Sequence, residues 1–317
     1  MALTEPKYTI QDFQLFRVIY SGSLSTVQVV KHIPTNKAFA LKKYSKFSLL
    51  SKNKTQYLMR EKNILDTIRN PFIVSCVASF QDKENLYLMF EYLQGGDLLR
   101  LKGVERVFSV KLSQFYLAEI LEALGHLHCR NVIYRGLKPE NVVLDHEGHI
   151  RLVDFGMAKR VQDCERALTL SGTPEYLAPE VVMKIGHREE TDFWTLGIML
   201  FEFLTGKLPF YARSPMLLYE KILNSDPNFS KILDKNAEDL CRNLLHKDFQ
   251  ARIKIKQIRK HRFFEDINWR TVAIKGLKPI HVPLVTSPMD SSNFPFFDEV
   301  LVSQPFEENV INFPGFD

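Results

Sequence analysis

Short apolar runs separated by turn residues mark the amino-terminal part of the chain. The segment from Phe13 to Tyr44 holds three such runs, divided by a Ser-Gly-Ser turn at 21–23 and by a turn cluster at 34–37. Apolar runs of this length between turn clusters are typical of strands. The pattern therefore predicts a three-stranded meander, followed by two further strands at Phe72 to Phe80 and at Asn85 to Tyr92.

Helical spacing of apolar residues appears in three other parts of the chain. Apolar residues recur every three to four positions from Gln56 to Arg69 and, more strongly, from Ser113 to Arg130. This period predicts amphipathic helices, and Asn70-Pro71 predicts the end of the first one. Further apolar helices are predicted from Asp192 to Phe264.

The segment from Val132 to Asp145 places charged residues between two short apolar runs. We predict a buried hairpin whose turn presents Arg135, Lys138, Glu140 and Asn141 to one side, which is how a rigid scaffold displays a polar site. Another strand is predicted at Ile150 to Val153.

From Trp269 to Asp317 the chain changes character. This segment is rich in Pro, Phe and acidic residues and lacks helical periodicity. By composition alone it is predicted to be a linker or a disordered tail.

Composition narrows the functional classes. The chain has 317 residues, of which 45% are hydrophobic, and a net charge of +5. This mild excess does not point to nucleic acid, and the Lys-rich segment Lys42 to Lys54 is predicted to be a solvated face. Four scattered cysteines without a Cys-x-x-Cys pair predict free thiols in a reducing compartment. No apolar run is long enough for a membrane span, so the cytoplasm is the expected location, with the nucleus as a second one.

The segment Val132–Asp145 contains Tyr-Arg-Gly-Leu-Lys-Pro-Glu-Asn, which resembles the catalytic loop of protein kinases. The resemblance is closest to the cyclic-AMP-dependent kinases of the AGC group. Asp154-Phe155-Gly156 and Ala178-Pro179-Glu180 follow in the family's order. Where the family has the Asp that accepts the proton of the substrate hydroxyl, this chain has Gly136.

The resemblance implies an α+β fold, the two-lobed protein kinase fold. It implies a small β-rich N-lobe at 13–92, a larger helical C-lobe at 93–264 and an AGC-type C-terminal tail at 265–317. It also implies ATP and Mg²⁺ as cofactors, with Asn141 and Asp154 as metal ligands and Lys138 at the γ-phosphate. The nucleotide contacts that it implies lie in the first hairpin, the next strand, the following helix, the hinge and the tail: Tyr20, Ser21, Gly22, Ser23, Leu24, Ser25, Val27, Ala40, Lys42, Glu61, Glu91, Leu93 and Phe294.

The first hairpin departs from the family pattern. Aligned on Val27, the three glycine positions of the family's phosphate loop hold Tyr20, Gly22 and Ser25. Glycine there lets the backbone approach phosphates without a Cβ in the way. Taken alone, this segment would be read as an ordinary hairpin.

The resemblance also implies protein substrates or partners with basic segments. The positions of the acids that select such substrates hold Asp97, Glu140, Glu175 and Glu220, with Asp97 shorter than the usual Glu. Thr169 and Ser303 match phosphorylation sites, with Arg135 and Lys159 expected to receive the phosphate on Thr169. Leu168 replaces an aromatic residue, which argues against a regulatory subunit as a further partner.

Gly136 leaves three functions open. A positioned general base contributes about 10²–10⁴ in rate, so its loss favours a pseudokinase that serves as a binding partner. Phosphoryl transfer depends mainly on positioning and charge neutralisation, so a slow kinase for Arg-rich substrates is the second hypothesis. A structural module without nucleotide is the third.

Overall fold

The computed structural model describes residues 8–162, 166–169, 172–297 and 313–316. Its amino-terminal lobe is built on one antiparallel sheet of five strands, in the order β1-β2-β3-β5-β4. The strands are β1 Phe13–Ser21, β2 Ser25–His32, β3 Lys37–Ser45, β4 Cys76–Gln81 and β5 Asn85–Glu91. The predicted meander is confirmed, because β2 pairs with both β1 and β3.

The fourth strand begins later than predicted. Phe72 to Val74 are buried, but their backbone groups form hydrogen bonds with the second lobe. The amide of Leu152 donates to the carbonyl of Phe72 (2.8 Å), and the amide of Val74 donates to the carbonyl of Leu152 (3.0 Å). The backbone hydrogen bonds of this apolar run are therefore used by a strand of the second lobe, and β4 starts only at Cys76.

Two helices separate β3 from β4. They are α1 Lys46–Ser51 and α2 Thr55–Thr67. The second matches the helix predicted from Gln56, and it buries Leu58, Ile64 and Leu65 in the core of the lobe. The same face buries Glu61, an acid whose partners belong to the site described below.

The second lobe is mainly helical, as predicted, and no helix of the described ranges is long and apolar enough to cross a membrane. Its long central helix begins after the N-cap Ser109, whose hydroxyl accepts a hydrogen bond from the amide of Leu112. The helices are α3 Leu98–Glu105, α4 Val110–His128, α5 Pro179–Val182, α6 Glu190–Thr205, α7 Pro215–Asn224, α8 Lys235–Leu244, α9 Ile255–Ile258 and α10 Trp269–Ala273. Short 3₁₀ turns span Ile10–Asp12, Pro139–Asn141, Pro174–Tyr176, Phe229–Lys231 and Arg262–Phe264.

The predicted hairpin across Val132 to Asp145 is wrong. The two apolar runs form β6 Val132–Ile133 and β7 Val142–Leu144, which do not pair with each other. Instead β7 pairs with β8 Ile150–Leu152, and β6 pairs with β9 Lys159–Arg160. The loop between them is thereby held from two sides, and it still faces the cleft between the lobes.

Two further predictions from composition fail. The segment after Trp269 opens with the helix α10, capped by the side chain of Asn268. The Lys-rich segment is not a uniform solvated face, since Lys42 and Lys46 are both buried. Lys46 donates to the side-chain oxygen of Gln81 (2.9 Å), so a local excess of lysine says little about the exposure of each one.

The carboxy-terminal segment returns to the small lobe. Phe313 and Phe316 are buried in its core. The side-chain amide of Gln81, at the end of β4, donates to the carbonyl of Phe313 (3.2 Å) and its oxygen accepts from the Phe313 amide (3.1 Å). These contacts tie the end of the chain to the sheet that carries the site.

Candidate active site

A buried lysine joins two acids at the cleft between the lobes. The Lys42 ammonium, on β3, lies 2.8 Å from Glu61 Oε1 on α2 and 2.9 Å from Asp154 Oδ1 in the second lobe. Burial opposes the charge on Lys42, but the two carboxylates outweigh it and raise its pKa well above the ordinary value. The Lys42 ammonium in turn holds the pKa of the Asp154 carboxyl below its usual range. Lys42 and Asp154 are therefore both charged at neutral pH.

Glu61 is fixed by two further donors. The hydroxyl of Tyr44 donates to Glu61 Oε2 (2.6 Å), and the amide of Phe155 donates to Oε1 (3.3 Å). Phe155 itself is fully buried. Burying an isolated carboxylate costs folding free energy. The two hydrogen bonds and the ion pair with Lys42 offset this cost, which explains why Glu61 is tolerated on the inner face of α2.

Hydrogen bonds hold both ends of the loop from Tyr134 to Asn141 in place. Asp192, at the start of α6, accepts from the amides of Tyr134 (3.0 Å) and Arg135 (2.8 Å). At the other end of the loop, the side-chain amide of Asn141 donates to the carbonyl of Gly136 (2.7 Å). The Asn141 amide oxygen is thus turned away from Gly136, and Lys138, Asn141 and Asp154 line one cleft.

Gly136 does not occupy its position for steric reasons. A Cβ added there would lie 3.5 Å from Asn141 Nδ2, from the carbonyl oxygen of Asp154 and from the ring of Tyr134, which are ordinary contacts. Its φ is also outside the left-handed region that favours glycine. The site therefore has room for a Cβ at position 136.

Tyr20 lies at the edge of the site, with 49% of its surface exposed. The hydroxyl of its side chain lies under the turn between β1 and β2, only 2.6 Å from where a Cβ on Gly22 would be. Partial burial raises the pKa of Tyr20, and the nearby Asp154 carboxylate raises it further. Sequence reasoning identified Tyr20 only as a replaced glycine. The effect of the Asp154 and Lys42 charges on the pKa of its phenol depends on the three-dimensional fold.

The segment that connects the two lobes meets the carboxy-terminal tail at one edge of the cleft. Glu91 ends β5, where its amide donates to Ser75 (3.2 Å) and its carboxylate accepts from Arg151 (3.3 Å). Its backbone N–H is therefore already used. Phe294 is buried with its ring centroid 6.2 Å from that of Tyr92. Leu93 follows in the same segment and is also buried.

The remaining predicted residues of the hairpin lie on β1, on β2 or in the turn between them. Ser21 ends β1, Ser25 begins β2, and the amide of Gly22 donates to the carbonyl of Ser25 (2.9 Å). Ser23 and Leu24 complete the turn, and Val27 faces Lys42 in the register of β2 and β3. Ala40 lies on β3, two residues before Lys42.

Comparison with known proteins identifies this arrangement. A protein kinase domain profile matches residues 13–264. The chain is 38% identical to a cAMP-dependent protein kinase catalytic subunit of Dictyostelium discoideum, over 96% of this chain and 47% of that protein. It is 41% identical to the serine/threonine-protein kinase YPK2/YKR2 of Saccharomyces cerevisiae, over 90% of this chain and 43% of that protein. It is 38% identical to the human cAMP-dependent protein kinase catalytic subunit PRKX, over 93% of this chain and 83% of that protein.

The chain belongs to the protein kinase family. It has relatives in the AGC group, and the predicted two-lobed kinase fold is confirmed. The chain spans about half the length, or less, of the first curated relatives that it matches.

The residues at the kinase metal position fit a hard divalent cation. The donor set consists of the Asp154 carboxylate and the amide oxygen of Asn141, and Mg²⁺ prefers oxygen ligands of these kinds. The Asn141 nitrogen is used by Gly136, which leaves that oxygen for an ion.

Three of the four predicted substrate-selecting acids lie near one another. Asp97 caps α3 by accepting from the amide of Arg100 (2.8 Å), and burial, reinforced by Glu140, raises its pKa. Glu140 and Glu175 both lie close enough to Tyr176 to raise the pKa of its phenol, although burial and Glu202 dominate that shift. Glu220 is exposed on α7, a helix that packs against the Pro174–Tyr176 turn.

Thr169 is already hydrogen-bonded to its expected cationic partner in the kinase. Arg135 Nη1 donates to the Thr169 hydroxyl (2.8 Å), and its Nε donates to the carbonyl of Met157 (2.8 Å). Burial lowers the pKa of Arg135 to about 10, and Arg60 on α2 contributes to the shift, so a second cation lies nearby. Sequence reasoning missed Arg60, whose place one residue before Glu61 was the available signal. Lys159 lies on β9, and Ser303 lies outside the described residues.

Proposed function

We propose that this protein binds Mg-ATP and is a cAMP-dependent-kinase-like pseudokinase, either inactive or severely slowed. The observation that carries the proposal is the contrast at the cleft. Lys42, Glu61 and Asp154 are joined in one ionic cluster, whereas Gly136 has no side chain to accept a proton. The groups for binding are present, and the group for proton removal is missing.

The residues of the cleft have distinct tasks in this proposal. Lys42, oriented by Glu61, would neutralise charge on the α- and β-phosphates, and Lys138 would do so at the γ-phosphate. Asn141 and Asp154 would hold Mg²⁺, which neutralises phosphate charge as transfer proceeds. The acceptor hydroxyl would keep its proton until a late stage, because no carboxylate stands at position 136.

A second function is favoured by a specific observation. Asp97, Glu140 and Glu175 gather beside the cleft, and Arg135 already bonds the Thr169 hydroxyl. Such features suit a working serine/threonine kinase of low turnover that acts on Arg-rich segments. Leu168 is two-thirds exposed, at 66%, and offers no ring to a partner, so binding of a regulatory subunit is not part of the proposal.

Thermal denaturation tests nucleotide binding. Mg-ATP should raise the melting temperature, since a ligand that binds only the folded state stabilises it by RT ln(1 + [L]/Kd). Asp154→Ala should abolish the rise, while the surface variant Asp266→Ala should keep it. The absence of any rise with excess Mg-ATP would leave the structural module as the surviving hypothesis.

Transfer of radioactive phosphate to an Arg-rich Ser peptide separates the two kinase hypotheses. Lys42→Met is the blank, because it removes the cation at the centre of the site. Transfer by the unaltered protein at the level of Lys42→Met means a pseudokinase. Transfer clearly above that blank means a slow kinase.

A further inference from the structure

The cleft beside Gly136 has space where the kinase family places a carboxylate. Among its lining residues are Arg135, Gly136, Lys138, Asn141 and Thr173. A Cβ at position 136 would approach no atom closer than 3.5 Å. The space beside this backbone is therefore open to at least a Cβ, and it belongs to the cleft that Lys138 and Asp154 also line.

Among the described residues that line this space, cations outnumber acids. Two cations, Arg135 and Lys138, line the cleft, and Asp154 is the sole acid among its described lining residues. That acid is already paired with Lys42 (2.9 Å). Within the ranges that the structure describes, the Lys138 ammonium and the Thr173 hydroxyl have no hydrogen-bond partner, and the charge of Lys138 acts on the nearby Asp154 carboxylate. A cation and a hydroxyl beside an open volume suit an anion the size of a carboxylate.

We propose that this cleft is a carboxylate-binding site, in which a carboxylate held by Lys138 and Thr173 beside Gly136 serves as the general base. The inference rests on the proposed nucleotide-binding function. The hydroxyl of the bound substrate would give its proton to the carboxylate oxygen while its own oxygen bonds to the γ-phosphorus of ATP. The bond from that phosphorus to the β,γ-bridging oxygen breaks, and ADP leaves.

The carboxylate has two possible sources with the same chemistry. It is either an Asp or Glu side chain of the substrate, next to the acceptor residue, or a small free acid such as formate. The first source defines a substrate class: a Ser or Thr that follows basic residues and is itself followed directly by an acidic residue. This kinase would then select its substrates partly by the carboxylate of the residue that follows the acceptor Ser or Thr.

Binding is tested without nucleotide, by saturation-transfer NMR with ¹³C-formate as the probe. Formate should bind the unaltered protein, and binding should be lost in Lys138→Met and in Gly136→Asp, whose carboxylate would fill the site. Lys111→Met, which removes an exposed lysine, is the matched control and should bind as before. Equal binding by all four proteins, or by none, overturns the inference.

Catalysis is tested with two Arg-rich peptides that differ only in Asp or Asn directly after the Ser. The unaltered protein should phosphorylate the Asp peptide about 10² times faster, the lower range of general-base assistance. Formate should accelerate transfer to the Asn peptide. In Gly136→Asp, both the peptide preference and the formate effect should vanish.

The outcomes separate this inference from the proposed function. If Gly136→Asp transfers phosphate while the unaltered protein responds to neither carboxylate source, the carboxylate site is wrong and the missing-base proposal stands. If acceleration comes from formate but not from the Asp peptide, the site is right and its physiological source is a free acid. If no protein transfers phosphate, Gly136→Asp included, the carboxylate-site inference fails, and the rise in melting temperature with Mg-ATP alone decides whether the proposed nucleotide-binding function stands.

Discussion

Restoring a carboxylate at position 136 is the most direct test of the missing base. Gly136→Asp introduces the proton acceptor of the kinase family into a position where the Cβ meets only contacts of 3.5 Å. The loop needs no rearrangement, because Asp192 holds the amide of Arg135 at 2.8 Å and Asn141 holds the Gly136 carbonyl at 2.7 Å. The substitution should therefore change the chemistry of the site and leave its shape intact.

The expected gain is about 10² or more in turnover, the lower end of what a general base supplies. A factor of that size corresponds to about 2.7 kcal/mol in the activation free energy. The gain should appear in kcat and leave the KM for ATP nearly unchanged, since the base acts on the reacting hydroxyl and adds little to ground-state binding.

The assay is steady-state phosphate transfer to an Arg-rich Ser peptide. Gly136→Asn is the matched control, because it has nearly the same shape and cannot accept the proton. If the Asp and Asn variants gain equally, the defect of the natural loop is its flexibility and the reasoning from a missing base is refuted. If neither gains, the defect lies elsewhere in the cleft, and Tyr20 is the first residue to test.

Tyr20→Gly should tighten Mg-ATP binding in calorimetry, because it removes a ring that lies against the Gly22 turn, close enough to Asp154 and Lys42 for their charges to shift its pKa; an unchanged Kd would show that the ring does not obstruct the phosphates. Phe316→Ala should lower the free energy of unfolding by about 3–5 kcal/mol in denaturant, whereas exposed Phe296→Ala should cost under about 1 kcal/mol; equal losses would contradict docking of the tail. Burial lowers the pKa of His187 from 6.5 to about 4. The unfolded chain therefore takes up the proton first, so stability should fall between pH 6.5 and pH 4, and His187→Asn should flatten that fall.

Much of the site could be predicted from spacing along the chain. Lys42 on a predicted strand and Glu61 on a predicted helix lie 19 residues apart, and the structure joins them at 2.8 Å. The resemblance to the kinase family also implies that Glu180 pairs with Arg252, which lies 72 residues further along the chain, and the two form a buried ion pair at 2.7 Å. These expectations came from the order and spacing of the family's motifs, which survive where single letters such as Gly136 differ.

Local sequence determined the elements, and the tertiary structure decided their partners. Turn residues and apolar periodicity act over a few neighbouring positions, so they predicted the meander and α4. Strand pairing is a competition between backbones distant in sequence. For this reason the apolar runs around Gly136 joined β8 and β9 instead of each other. The same distance dependence hid the burial of Lys42, because it depends on a surface assembled from remote parts of the chain. The return of Phe316 to the small lobe was implied by the resemblance of Phe313-Pro314-Gly315-Phe316 to the tail of the AGC kinases, and not by any local pattern of the sequence.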